Sequence, residues 1–401
     1  MTWTIYPVHG RMNEGPLGYR LGNVDGIAFM HDYMRTLNPS QGIMELQPGQ
    51  VNWGQVNPQP LPGAVYMWIL RAFSGGASLV CTYRYRQPLF GAELYHKGIV
   101  ETDGVTLSPG GREFVQAIKD VNKLRALRPK DTVEPAERAA RRAGVLYHFD
   151  NRWDLDNHPQ TNRWDTIGHI MKYHKALKGL GSPVDVIDES ADLARYPFLV
   201  APAYQLADEQ LVNRWTTYVQ GGGHLVLTLR TAQKDRRGYL WEGLWSKPIV
   251  DLIGATIPSY DVLPSPLKGT VTANGKSFEW GVWGETLEPK AGTTALAIYS
   301  DHHYKGQAAA ITRKLGRGSV TYIGVESLSG ELERELLRGV FERAGVKVKD
   351  FPNGFHVEWR DGFWVATNFT ELTLTAPVPS GARIVLGEKD VRPAGVSVWL
   401  E

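Results

Sequence analysis

The sequence contains a single cysteine, Cys81, in 401 residues, which excludes an internal disulfide. A lone thiol is typical of proteins kept in a reducing compartment, so we expect a cytoplasmic protein. Long apolar runs are also lacking, and the first residues, MTWTIYPVHGRMNEG, do not show the charged-then-apolar pattern of a secretory signal. The sequence therefore predicts neither a membrane-spanning protein nor a secreted disulfide-rich one.

Neither basic nor acidic residues are in clear excess. The 44 basic and 42 acidic residues leave a formal net charge of +2, so neither nucleic acid nor an anionic membrane is expected as a partner. The 11 histidines are scattered, and we predict no metal and no cofactor. Aromatic side chains are plentiful by contrast, with 13 tryptophans and 17 tyrosines. Flat amphipathic rings suit sugars, although most such rings belong to the hydrophobic core.

The length of the chain exceeds what one compact core can hold, so two or three domains are expected. The composition, 42% hydrophobic and 21% charged, is ordinary for a globular protein. The polar, charged stretch RPKDTVEPAERAA is typical of a linker. We therefore predict three domains, covering residues 1–128, 129–348 and 349–401.

The first predicted domain alternates strands with helices. Strands are predicted at Thr2–Val8, Gly42–Leu46 and Ser78–Arg86, and helices at Asp25–Thr36, Pro62–Ser74 and Pro109–Leu127. This alternation indicates a parallel sheet with right-handed crossovers. Only three βα units are present, whereas a closed (β/α)8 barrel needs eight.

The second predicted domain has the pattern of an open, doubly wound α/β sheet. Its buried strands are GVLYHFD, PVDVID, FLVAPAY, HLVLTLR, TALAIYS and SVTYIGV, and its helices are predicted at 164–179, 208–220 and 329–344. The last predicted domain contains short alternating strands, HVEWR, FWVATNF and VSVWL, which indicate a small all-β module.

Polar side chains follow the strands of the first domain, where functional groups of α/β barrels lie. Tyr6 ends the first strand and Glu45 the second; Arg84 and Arg86 end the third, and Glu93 and His96 follow in the next loop. A lone glutamate at a strand end is usually solvated or salt-bridged. The convergence of several polar strand ends on one face favours a functional site.

Two long segments carry a specific resemblance. MELQPGQVNWGQVNPQPLPG and YRYRQPLFGAELYHKGIVETDG closely resemble glycoside hydrolase family 42, the β-galactosidases. The segments YRLGNVDGIAFMHDYMR and GGGHLVLTLRTAQKD also resemble the family, so the resemblance covers essentially the whole chain. It implies a partial (β/α)8 TIM barrel, then a doubly wound amidotransferase-like α/β domain that contributes to a homotrimer, and then a small all-β domain.

The resemblance also implies individual roles. Glu45 matches the catalytic nucleophile, Trp53 the aromatic wall of the sugar subsite, Glu93 and His96 the residues that bind galactose hydroxyls, and Tyr6 a tyrosine near the nucleophile. Arg84 and Arg86 either hold the nucleophile or form a structural salt bridge. A retaining glycosidase needs a second carboxyl group about 5–5.5 Å from the nucleophile, as general acid/base. The nucleophile must stay ionised, so we expect neighbouring groups that keep its pKa low.

The three βα units match strands six to eight of the family's barrel. The Asn-Glu pair at the end of strand four, which supplies the acid/base, and the family's zinc ligands belong to the first five units, which have no match here. We assign the acid role neither to Glu14, in a Gly-rich loop, nor to Glu101, after a Gly-Ile-Val run.

The expected function is therefore that of a β-galactosidase, cleaving terminal non-reducing β-D-galactosyl residues, that is incomplete as a lone chain. A separate chain supplying the first five units is one expected partner. A catalytically inactive galactoside-binding or oligomerisation scaffold is the alternative. An amidotransferase-like regulatory module is a weaker one, and the second domain has no cysteine for amidotransferase chemistry.

Overall fold

The computed structural model describes residues 1–9, 16–129 and 131–401. The chain folds into two compact units, one formed by Met1–Pro135 with Phe351–Glu401 and the other by Ala136–Asp350. The predicted third domain, 349–401, thus lies in the same compact unit as the first. Within the described ranges, no helix is long and apolar enough to cross a membrane.

The first segment of the chain contains a three-stranded parallel sheet with the order β1-β2-β3. Its elements are β1 (Thr2–Ile5), α1 (Gly18–Leu21), α2 (Val24–Leu37), β2 (Gln41–Leu46), α3 (Ala64–Ser74), β3 (Ala77–Thr82) and α4 (Pro109–Leu127). Side chains cap two of the helices: Asn23 accepts from the Gly26 N–H at the start of α2, and Ser108 accepts from the Gly111 N–H at the start of α4. Pro109 occupies the first turn of α4, where a missing N–H is harmless.

Two strands end earlier than the sequence predicts. The first ends at Ile5 instead of Val8, because the Val8 N–H bonds to a side chain instead of to β2. The third ends at Thr82 instead of Arg86, because the backbone that follows pairs with residues 99–100. The residues after Thr82 therefore lie in a loop at the carboxyl end of the sheet.

The second unit contains one eleven-stranded mixed sheet. Its elements are α5 (Ala136–Ala139), β4 (Ala143–Leu146), α6 (Phe149–Asn157), α7 (Thr166–Gly179), β5 (Val184–Ile187), β6 (Phe198–Ala201), α8 (Glu209–Gln220), β7 (His224–Thr228), α9 (Val250–Ile253), β8 (Ala255–Asp261), β9 (Gly269–Ala273), β10 (Lys276–Pro289), β11 (Thr293–Tyr299), β12 (Ala308–Leu315), β13 (Gly318–Ile323), β14 (Val325–Ser327) and α10 (Glu331–Arg343), with short 3₁₀ helices at Leu193–Arg195 and Lys247–Ile249. The strand order is β14-β10-β9-β11-β12-β13-β7-β6-β4-β5, and β8 pairs with β10.

The sequence prediction captured only part of this sheet. Strands β5, β4, β6, β7 and β13 run parallel, as a doubly wound pattern requires. The antiparallel part, built on the long strand β10 with β8, β9 and β14 beside it, was not predicted. The predicted strand GVLYHFD also ends at Leu146, and α6 begins at Phe149.

The last segment consists of β-strands and returns to the first unit. Its strands are β15 (Phe355–Arg360), β16 (Phe363–Asn368), β17 (Leu374–Thr375), β18 (Arg383–Leu386), β19 (Asp390–Val391) and β20 (Val396–Leu400). Four form an antiparallel sheet of order β15-β16-β20-β18, and β17 pairs with β19. Buried side chains of β16 and β20, including Phe363, Val365 and Val398, share one hydrophobic core with Trp68 and Leu70 of α3.

A buried ion pair also joins this segment to α3. The Arg71 guanidinium, fully buried, lies 3.4 Å from the Glu358 carboxylate of β15. Arg360, at the end of the same strand, donates to the carbonyl oxygens of Phe73 and Ala77. The tail is therefore held on α3 by both polar and apolar contacts.

Removing one member of a buried ion pair leaves an uncompensated charge, so we expect Arg71→Met to lower the free energy of opening of α3 and β15 by about 3–5 kcal/mol. Hydrogen exchange of peptides from these two elements measures this quantity. The control is Arg128→Met, which breaks the more exposed Arg128–Asp361 pair and is expected to cost below about 1 kcal/mol. Equal effects of the two substitutions would contradict this account.

A second buried polar cluster lies in the other unit. The Glu326 carboxylate is 3.2 Å from Nδ1 of His169 and accepts a 2.9 Å hydrogen bond from Nζ of Lys172. Nε2 of His169 lies 3.0 Å from the Thr228 hydroxyl. Burial alone raises the pKa of Glu326, but these two partners outweigh it and lower the pKa to about 2.

A carboxyl whose pKa is depressed in the folded state adds stability that is present above its unfolded pKa and lost as the pH falls toward its folded pKa. We therefore expect Glu326→Gln to reduce the free energy of unfolding by on the order of 3 kcal/mol at pH 5–7, with the difference roughly halved by about pH 3. Urea unfolding at several pH values measures it. Glu279→Gln, at the exposed Lys268–Glu279 pair, should keep the wild-type pH profile. A deficit that does not shrink at low pH would refute the assignment.

Candidate active site

Glu45 lies near the carboxyl end of β2, the central strand of the three-stranded sheet. Tyr6 directly follows β1, and its hydroxyl donates a 2.8 Å hydrogen bond to Oε2 of Glu45. Because parallel strands end at the same edge of a sheet, the pairing of β1 with β2 brings the two side chains together. Burial, and then the hydrogen bond to the Glu45 carboxylate, raises the pKa of Tyr6, so the phenol remains a donor.

An aromatic cluster lies beside this pair. The Trp53 ring is 47% exposed and packs edge-on against Tyr6, with ring centroids 4.8 Å apart. His9 packs against the same indole at 4.4 Å, and burial lowers the pKa of His9. The Tyr6 ring also lies 6.2 Å from the His96 ring. The rings therefore form a wall next to the carboxylate, and about half of the Trp53 side chain remains exposed.

A second carboxylate is held in the loop after β3. Oε2 of Glu93 accepts a 2.8 Å hydrogen bond from Nη1 of Arg84 and a 2.7 Å bond from the Tyr83 hydroxyl. Both donors bind the same oxygen, so Oε1 has no donor within the part of the chain that the structure describes. Glu93 is thus oriented as an acceptor for a hydroxyl group.

His96 presents a second acceptor. The ring is buried, with Nδ1 3.0 Å from the Lys97 carbonyl oxygen, so Nδ1 carries the proton. Burial lowers the pKa of His96, which favours the neutral ring. Nε2 has no hydrogen-bond partner among the described residues. A ligand hydroxyl is the kind of group that would satisfy it.

Among the described residues, neither Arg84 nor Arg86 is hydrogen-bonded to Glu45. Arg84 binds Glu93, which supports the salt-bridge interpretation for that residue. Arg86 donates to the Thr102 carbonyl oxygen and, among the described residues, forms no hydrogen bond with Glu45. The cause is the early end of β3, after which the backbone turns toward residues 99–100. Tyr6 is the residue that donates to Glu45.

Two residues of this cluster were missed by the sequence interpretation. His9 lies three positions beyond Tyr6, and Tyr83 is the first residue after β3. The strand-end argument that selected Arg84 applies equally to its neighbour Tyr83. No sequence signal separates His9 from the other histidines.

Glu101 and Glu14, the two glutamates to which we assigned no acid role, differ in what the structure shows of them. Glu101 accepts from Lys97 at 3.0 Å, an ordinary i,i+4 ion pair. Glu14 lies in residues 10–15, outside the described residues; it follows Asn13, so the chain does contain one Asn-Glu dipeptide, after its first strand. In the described ranges, no group of three or more His, Cys, Asp or Glu side chains is arranged to hold a metal ion.

Comparisons with known proteins identify the family to which this chain is similar. Residues 1–124 match the profile of the glycoside hydrolase 42 family described as "Beta-galactosidase", and residues 141–347 match the "Beta-galactosidase trimerisation domain". Among curated proteins, the β-galactosidase BgaH of Haloferax lucentense is 32% identical over 98% of this chain and 58% of the relative. A β-galactosidase of Thermus thermophilus is 30% identical over 95% of this chain and 56% of the relative.

Solved structures give the same result. The polyextremophilic β-galactosidase of the Antarctic haloarchaeon Halorubrum lacusprofundi superimposes with a TM-score of 0.89 at 31% identity, covering all of this chain and 60% of that protein. The β-galactosidase of the psychrophilic Marinomonas ef1 gives a TM-score of 0.86 at 27% identity, again over all of this chain and 60% of that protein. The chain thus spans little more than half the length of the relatives it matches. Both family profiles and the whole-chain structural likeness show that this chain belongs to the β-galactosidases of glycoside hydrolase family 42.

Proposed function

We propose that this chain is the nucleophile-bearing part of a retaining β-galactosidase. The observation that supports this best is the position of Glu45 at the carboxyl end of a central strand. Its carboxylate accepts a hydrogen bond from Tyr6 and lies beside the half-exposed Trp53 and two oriented acceptors, Glu93 and His96. The sequence match to relatives named β-galactosidases gives the substrate class.

In the proposed reaction, the Glu45 carboxylate attacks the anomeric carbon of a terminal β-galactosyl group. A carbon–oxygen ester bond forms while the glycosidic bond breaks, and a separate carboxylic acid protonates the departing oxygen. Water then cleaves the ester with the help of the same group, now acting as base, which releases galactose with its configuration retained. Tyr6 holds one oxygen of Glu45, and the other oxygen is the attacking atom.

Recognition of the galactosyl group would use the rest of the cluster. The face of Trp53 packs against the apolar side of the sugar ring. Oε1 of Glu93 and Nε2 of His96 accept hydrogen bonds from sugar hydroxyls, and charge makes the first of these the stronger. Arg84, together with Tyr83, orients Glu93. We assign no contact with the sugar to Arg86.

The acid/base is proposed to lie outside residues 1–401. In this proposal β1, β2 and β3 are the last three strands of an eight-stranded (β/α)8 barrel, and the acid/base belongs to the first five units, supplied by the same polypeptide or by a separate one. The second domain is proposed to be amidotransferase-like, as the family resemblance implies. It is also proposed to form a homotrimer, because its matched profile is described as a trimerisation domain. Residues 349–401 are proposed to be the third domain, a small all-β domain.

The first activity prediction concerns Glu45. In an enzyme reconstituted with the first five βα units of a relative, Glu45→Gln should lower kcat at least ~10³-fold, because an amide cannot form the glycosyl ester. Glu45→Gly with added azide should regain turnover and yield the α-galactosyl azide, since the small anion attacks from the vacated side. The control is Glu101→Gln, which alters a carboxylate ion-paired to Lys97. Near-normal turnover of Glu45→Gln, or of Glu45→Gly without azide, would disprove the assignment.

The second activity prediction concerns the chain by itself. Residues 1–401 should not hydrolyse lactose or an aryl galactoside, because leaving-group protonation contributes roughly 10²–10⁴-fold and positioning by the opposite barrel wall contributes more. Turnover should appear when the N-terminal barrel half of a relative is added. Activity of the pure chain that is lost in Glu14→Gln would place the acid after β1 and overturn this proposal. No activity after mixing would favour the inactive scaffold.

A further inference from the structure

The Trp53 side chain lies in the loop after β2, outside any helix or strand. The loop backbone on both sides of it is held by side chains. Asn52 donates to the Ala92 carbonyl oxygen, and Asn57 accepts from the N–H and donates to the carbonyl oxygen of Gly54. The indole N–H, by contrast, has no hydrogen-bond acceptor among the described residues. The angle of the indole is therefore set by the rings that it contacts.

Among the described residues, two rings contact the indole, and both follow β1. The Tyr6 ring lies 4.8 Å from the Trp53 ring at an interplanar angle of 85°, and the His9 ring lies 4.4 Å from it at 87°. The Tyr6 and His9 rings are nearly parallel to each other, at 9°. Edge-to-face pairs at these distances are a favourable arrangement of aromatic side chains. The indole thus lies perpendicular to a pair of parallel rings, and His9 makes the closer contact.

The chain just before His9 is held by a buried side chain at the end of β2. Gln47 accepts a 2.7 Å hydrogen bond from the Val8 N–H and donates to the Val8 carbonyl oxygen at 3.4 Å. Gln47 also donates to the Gly49 carbonyl oxygen at 2.7 Å. The position of His9 is therefore tied to the end of β2, the strand that carries Glu45.

The imidazole of His9 enters this contact as a ring and not as a hydrogen-bonding group. Nδ1 of His9 is buried and has no hydrogen-bond partner among the described residues. A buried polar atom without a partner costs free energy, so its retention calls for an explanation other than hydrogen bonding. Burial lowers the pKa of His9, which favours the neutral ring. A neutral ring packs against an indole without the cost of removing a charge from water.

We propose that His9 is a positioning residue, whose ring holds the Trp53 indole in the orientation that packs against the sugar. The part of this inference that concerns the sugar rests on the proposed function. Packing of the indole against the sugar is present in the bound substrate as well as in the transition state. Loss of the His9 ring therefore weakens both equally, which raises KM and leaves kcat nearly unchanged.

The kinetic test uses the enzyme reconstituted with the first five βα units of a relative. His9→Ala should raise KM for an aryl galactoside about 5–10-fold, with kcat changed by no more than about twofold, because a single aromatic pair contributes a few-fold to about tenfold in affinity. His9→Phe keeps a ring against the indole and should restore most of the wild-type KM. The control is His303→Ala, which removes an imidazole packed 4.7 Å from the Tyr304 ring in the second unit.

A spectroscopic test on the full chain alone does not depend on activity. In the chain labelled with fluorotryptophan, the fluorine resonance of Trp53 is the one missing from Trp53→Phe. Ring currents from the two perpendicular rings make this resonance sensitive to the angle of the indole. We expect it to move toward its position in the urea-unfolded chain in His9→Ala, and to keep a folded position in His9→Phe and His303→Ala.

The outcomes separate this inference from the proposed function. Movement of the Trp53 resonance in His9→Ala alone, together with the rise in KM, supports the inference. An unchanged Trp53 resonance in His9→Ala overturns it, and so does a fall in kcat with KM unchanged. Equal rises in KM for His9→Ala and His9→Phe also overturn it, because His9 would then act through a ring nitrogen. A reconstituted wild type without activity overturns the proposed function, and the fluorine spectra then decide whether His9 holds the indole.

Discussion

The parallel pairing of β1, β2 and β3 is the constraint on which the candidate site depends. Parallel strands all end at one edge of the sheet, so residues distant in sequence, Tyr6, Glu45 and the loop after Thr82, are brought to a common face. The Tyr6–Glu45 hydrogen bond follows directly from that pairing. The register matters as much as the pairing, because a slip of one residue would point Glu45 to the opposite face.

The sheet itself is stabilised from outside the βα units. Helix α3 is buried almost throughout and shares its hydrophobic core with the C-terminal β segment, nearly 300 residues later in the chain. The Arg71–Glu358 pair lies in that contact. A buried ion pair adds little net stability. Removing either partner is nevertheless strongly destabilising, because the other charge is then buried without compensation. The C-terminal strands are thus part of the structure that supports the site.

The site shows how hydrogen bonding assigns roles to ordinary residue types. Two donors on one oxygen orient Glu93, and the Lys97 carbonyl sets the tautomer of His96. In each case one acceptor, Oε1 of Glu93 or Nε2 of His96, has no hydrogen-bond donor among the described residues. Tyr6, kept protonated by burial and by Glu45, donates instead. The arrangement has acceptors for sugar hydroxyls and a held carboxylate for attack, which is the combination that the proposed reaction needs.

Local sequence pattern determined much of the first segment. Apolar periodicity located α4 to the residue, and the strand-end argument selected Glu45 and Tyr6, because strand direction and side-chain alternation are local properties. Tertiary structure alone decided the partner of Arg84, the turn that takes Arg86 away from Glu45, and the inclusion of His9 and Tyr83. It also decided the antiparallel strands around β10 and the exposure of Trp153 and Leu240. These features depend on contacts between residues far apart in the chain, and the energy of such contacts is not visible in any short window of sequence.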